Sequence, residues 1–100
     1  MLIISKENKD NFGWCELKLI STLKTFRTTI SIPKRFDNIL SILGIDKFFN
    51  KDLSVDEINY IEMLLLKNYR IVSHETINVD RILFDNKLSE ICLALNRCTN

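Results

Sequence analysis

The sequence predicts an α+β fold in which a small N-terminal antiparallel sheet packs against about three helices. Two observations carry this. Up to Pro33 apolar residues recur with period two, and after Pro33 they recur with helical spacing. A third bounds it: 100 residues with 46% hydrophobic and 27% charged side chains, but only two Gly and one Pro, match one compact globular domain over residues 1 to 100.

Residues 2 to 5 form a short apolar strand, and the polar cluster of residues 7 to 11 followed by Gly13 reads as a turn. Over residues 14 to 23, Cys15, Leu17 and Leu19 alternate with Glu16 and Lys18, the pattern of a strand with one covered face. Residues 26 to 32 repeat it, with Phe26, Thr28, Ile30 and Ile32 on one side, so these two runs form an antiparallel hairpin. Pro33 suits the first turn of a helix, where its missing N–H has no intrahelical partner. Phe36, Ile39, Leu40 and Leu43 then share one helical face, and Gly44 supplies a left-handed cap, which puts the first helix at about residues 34 to 43.

Residues 45 to 53 read as a loop with an aromatic anchor, Phe48 and Phe49 among Asp46, Lys47, Asn50, Lys51 and Asp52. Ser54 and Glu57 have capping-box spacing, and Ile58, Ile61 and Leu65 form the buried stripe of a helix at about 54 to 68. Residues 69 to 73 fit either a short strand or a helix exit, and the polar cluster at 73 to 76 argues for a break. A third helix from about Val79 or later buries Phe84, Leu88, Ile91, Cys92 and Leu95.

Chemistry-bearing patterns are sparse. His74 beside Glu75 is expected to be a solvated or structural pair, since adjacent residues in a turn point apart. Cys15, Cys92 and Cys98 are odd in number and form no CxxC pair, so neither a disulfide framework nor a zinc ribbon is indicated, and a reducing cytoplasm is the expected setting. Cys15 and Cys92 lie on apolar faces as small hydrophobes, while Cys98 is expected at a frayed terminus. No Asp-x-Asp loop, His-Glu-x-x-His or glycine-rich phosphate cradle occurs, so no metal, cofactor or catalysis is expected. The first apolar run is too short for a signal peptide, and no stretch reaches the roughly 20 apolar residues of a membrane span.

Charge points weakly. The net charge of +1 gives little attraction to polyanions, though residues 1 to 50 hold eight basic and five acidic groups and the remainder six and eight. Lys24, Arg27, Lys34 and Arg35 are the candidates for a basic, phosphate-facing patch. The stronger candidate is an interface centred on residues 46 to 63. Tyr60, Met63 and Leu66 fall away from the buried stripe at 100° per residue, and Tyr and Met favour interfaces. Asp46, Phe48, Phe49, Asp52, Asp56, Tyr60 and Met63 are the expected partner-binding residues.

Phe12, Gly13 and Trp14, the strand Cys15-Glu16-Leu17-Lys18-Leu19-Ile20-Ser21, its hairpin partner and the helix from Phe36 to Leu43 resemble small bacterial immunity proteins of contact-dependent growth inhibition systems. The resemblance covers the first half of the chain in element order and texture, without a diagnostic motif. It implies a cytoplasmic protein that binds the C-terminal toxin domain of a cognate effector, a nuclease among the candidates, and carries no catalytic residue of its own. Immunity proteins facing nucleases are often strongly acidic. This chain is near neutral, so a nuclease would have to be met through a local acidic face such as Asp52, Asp56 and Glu62. The alternative is a phage-type inhibitor or regulator of nucleic acid or a nucleic-acid enzyme, anti-CRISPR-like, which a basic face around Arg27, Lys34 and Arg35 would favour.

Overall fold

The computed structural model describes residues 1–8, 13–23, 25–73 and 81–99. Strands β1 (Leu2–Asn8), β2 (Trp14–Ser21) and β3 (Arg27–Pro33) are followed by helix α1 (Lys34–Ile42), a 3-10 turn (Ile45–Phe48), strand β4 (Asp52–Leu53), and helices α2 (Val55–Ser73) and α3 (Arg81–Thr99). The sheet is antiparallel with order β3-β2-β1-β4. This is the expected α+β architecture, with the fourth strand as an addition.

Alternation decides which sheet face is covered. Leu2 and Ile4 of β1, Cys15, Leu17 and Leu19 of β2, and Ile30 and Ile32 of β3 are buried, while Arg27, Thr29 and Ser31 between them are exposed. The buried faces of all three helices join this side in one core cluster. At the centre, the ring of Phe36 lies 6.0 Å from Tyr69 and 5.5 Å from Phe84, so one α1 side chain touches both long helices. Lys6 of β1 donates to Asp37 of α1 at 2.9 Å, fastening the outer sheet to the first helix.

Several boundaries move. The strand expected at residues 2 to 5 runs on to Asn8, and the one expected to end at 23 stops at Ser21, leaving Leu23 exposed. Pro33 is the last residue of β3 and caps α1 at φ −64°, its fixed φ serving both the strand end and the helix entry. Gly44 takes the expected left-handed conformation at φ 79°. The segment of residues 45 to 53 is shaped as a 3-10 turn and β4, where Leu53 pairs with Leu2 and Asp52 with Ile3.

The open question at residues 69 to 73 resolves as helix. Tyr69 lies eleven residues after Ile58, on the same face as Ile61 and Leu65, and is buried with them, so tertiary burial carries α2 one turn further. The third helix begins at Arg81 among the described residues; Val79, His74 and Glu75 lie outside them. Cys98, expected at a frayed end, is instead buried in the last turn of α3.

The start of α2 is built as the spacing predicts. The Glu57 N–H donates to Ser54 Oγ at 3.3 Å, and the Ser54 N–H donates back to Glu57 Oε1 at 3.1 Å. Ser54→Ala is expected to cost about 1 kcal/mol in a urea melt. Glu57 is held below its ordinary 4.5, chiefly by a hydrogen bond from Lys51 and then by the Ser54 N–H. A depressed folded value means that this stabilisation is full above the unfolded value and disappears as pH falls through the folded one. Glu57→Gln should therefore flatten that part of the acid limb of stability against pH.

Candidate functional site

The two aromatic residues of the 45 to 53 segment turn inward. Phe48 is buried, with Tyr60 tilted against it at 5.9 Å, and the ammonium groups of Lys47 and Lys51 sit over its ring at 5.3 and 5.2 Å. Phe49 is half-buried and packs against the core, lining a void of about 10 Å³ beside Ile4, Ile61 and Leu65. Neither offers a full face to solvent, because the 3-10 turn and the positive φ of Asn50 (64°) swing both rings beneath α2.

Tyr60 and Met63 do reach the surface, 43% and 38% exposed. Leu66 and Ile71 are exposed as well, at 62% and 75%, and lie about 120° and 20° from Tyr60 on opposite flanks of the outward face. Phe48 braces the N-terminal end of that face from below. Asp56 and Asn59 lie near its start and Lys67 and Arg70 between Leu66 and Ile71, all exposed, so charge along the helix runs from acidic to basic. Ile71 was hidden from sequence reasoning by the ambiguity at residues 69 to 73. Continuing the 100° rotation through that segment would have found it.

The acidic groups are dispersed. Asp46 and Asp56 are exposed, but the Asp52 carboxylate meets the Met1 amino group. Glu62 lies six residues after Asp56, 120° around the helix, and its charge is felt by Cys92 of α3. Asp52, Asp56 and Glu62 therefore do not form one acidic face, and the lysines over Phe48 make this end of the molecule mixed in sign.

The basic candidates are dispersed too. Strand register pairs Arg27 with Ile20 and Pro33 with Trp14, which puts Arg27 and Lys34 at opposite ends of β3, roughly 20 Å apart at strand rise. Lys24 lies outside the described residues.

Buried polar chemistry is structural in character. The Cys15 thiol donates to Asn8 Oδ1 at 3.2 Å and is pushed up by burial, then by Asp37. The Tyr69 hydroxyl donates to Asp85 at 3.4 Å, tying α2 to α3, and is pushed up to about 12 by burial and then by that carboxylate. Burial, then Glu62, pushes Cys92 up to about 11. With Cys15 and Cys98 buried, thiol labelling of the native protein is expected to be more than about tenfold slower than in urea.

No helix among the described residues is long and apolar enough to cross a membrane, and no group of three or more His, Cys, Asp or Glu side chains gathers there to hold a metal ion. No protein-family model matches the chain, and neither the curated proteins nor the solved structures contain a match.

Proposed function

We propose that this protein acts by stoichiometric association with a protein partner, through the outward face of α2, as an immunity protein that holds a cognate toxin domain inactive. The observation that supports a docking role is the exposure of Tyr60, Met63, Leu66 and Ile71 on a helix whose opposite face is fixed in the core. Surface leucines scattered singly need no explanation, but Tyr60 and Met63, with Leu66 and Ile71 on the flanks of the same outward half of α2, supply the apolar anchors of an interface, and the charged Asp56, Lys67 and Arg70 among them supply its polar contacts. The toxin assignment rests on the resemblance of the N-terminal hairpin and first helix to immunity proteins. Binding itself is the activity in this reading, and Tyr60, with its ring steadied by Phe48, is its leading anchor.

Calorimetry with the C-terminal domain of an effector encoded beside this chain tests the reading. It expects one partner per chain and inhibition of the toxin at the same ratio. Absence of binding, or tight binding only to nucleic acid that vanishes with salt, would reject it. The separation of Arg27 from Lys34 argues against that nucleic-acid outcome.

A further inference from the structure

The outward face of α2 reads the same in both directions about Met63. Between Asp56 and Arg70 the exposed residues of the helix stand at matched distances on either side of it. Tyr60 and Leu66 are three residues away, Asn59 and Lys67 four, and Asp56 and Arg70 seven. Seven steps of 100° bring the helix back to within about 20°, so Asp56, Met63 and Arg70 form a nearly straight line down the middle of the face. Tyr60 and Lys67 fall on one flank of that line, about 60° and 40° from Met63. Leu66 and Asn59 fall on the other flank at about the same two angles.

The charges of this face are not used within the chain. Glu57, on the inner side of the same turn as Asp56, pairs with Lys51. Among the described residues, Asp56, Lys67 and Arg70 form no ion pair. The middle line is therefore anionic at one end, apolar at Met63 and cationic at the other end, with both charges free to meet a partner.

We infer that this face pairs antiparallel with the same face of a second copy of the chain, about a two-fold axis at Met63. Reversal sets Asp56 against the second copy's Arg70 at each end and Met63 against its own copy in the middle. The axis stands perpendicular to both helices, so each flank meets itself reversed: Tyr60 meets the ammonium group of the second copy's Lys67, and Leu66 lies across from Asn59. A parallel pair would set Asp56 against Asp56 and Arg70 against Arg70, so charge selects the antiparallel arrangement. The line from Asp56 to Arg70 is about 21 Å long at helical rise, a small contact of the kind that makes weak, exchanging dimers. The inference rests on the reading of this face as a docking surface and adds a regulation to it. The second copy covers the residues that a toxin domain would take, so the two compete.

Light scattering of the full chain alone, from about 1 to 500 µM, tests it, the mass rising from 11.7 kDa toward twice that. Asp56→Arg and Arg70→Asp should each weaken self-association about tenfold or more, because like charges then meet at both ends. Both substitutions in one chain should restore it, since opposite charges face each other again with their places exchanged. Circular dichroism verifies that each variant is folded. A monomer at every concentration, a dimer indifferent to both single reversals, or a loss that the double variant does not recover overturns the inference. No toxin domain enters these measurements, so their failure leaves toxin binding standing, and a failure of toxin binding leaves the dimer to be judged on the scattering.

Discussion

Phe36→Ala is expected to lower the free energy of unfolding by about 3–5 kcal/mol, the range for truncating a fully buried phenylalanine. Phe36 has no exposed surface, and its ring touches Tyr69 of α2 and Phe84 of α3, so the cavity would open where all three helices meet over the sheet. Collapse around it is restricted because each neighbouring ring is set by its own helix. A domain of this size has roughly 5–15 kcal/mol in total, so the variant should lose about a fifth or more of its stability and melt about 12 °C lower or worse. Urea and thermal melts measure this. A loss below about 1 kcal/mol would mean that the helices are not held together through this ring.

Tyr60→Ala should weaken partner binding at least about thirtyfold, since truncating an aromatic hot spot costs about 2 kcal/mol or more. Its cost to the free protein is smaller, about 0.5–1.5 kcal/mol for the lost edge contact with Phe48. Phe49→Ala makes the contrast. Because Phe49 is half-buried with its ring against the core, its truncation should cost about 2 kcal/mol in stability and leave binding unchanged at temperatures where the variant is folded. Calorimetry beside a thermal melt separates the two effects. Weak binding by a folded Phe49→Ala, with normal binding by Tyr60→Ala, would move the interface off α2 and onto the 3-10 turn.

The fold was legible because each element states its period over enough residues. Cys15 to Leu19 alternate cleanly, Phe36 to Leu40 repeat at helical spacing, and Ser54 with Glu57 marks a helix start. Two things were not legible. Residues 69 to 73 have too short a local pattern to decide between strand and helix, and burial of Tyr69 against Phe36, 33 residues earlier in the chain, decides it. The candidate site was half legible: rotation along α2 exposes Tyr60 and Met63, but nothing local reveals that Phe48 and Phe49 turn inward. That follows from the left-handed Asn50 and from pairing of Asp52 and Leu53 with β1.

Met63→Asp probes docking through the outward face of α2. Met63 is exposed on the outward face next to Tyr60, and aspartate there would place a charge where an apolar contact is desolvated. In calorimetric titrations against the C-terminal domain of the proposed effector, the natural chain is expected to bind one-to-one and Met63→Asp about a hundredfold or more weakly, with the melting temperature unchanged within a few degrees. A folded Met63→Asp protein that binds as tightly as the natural chain would contradict it.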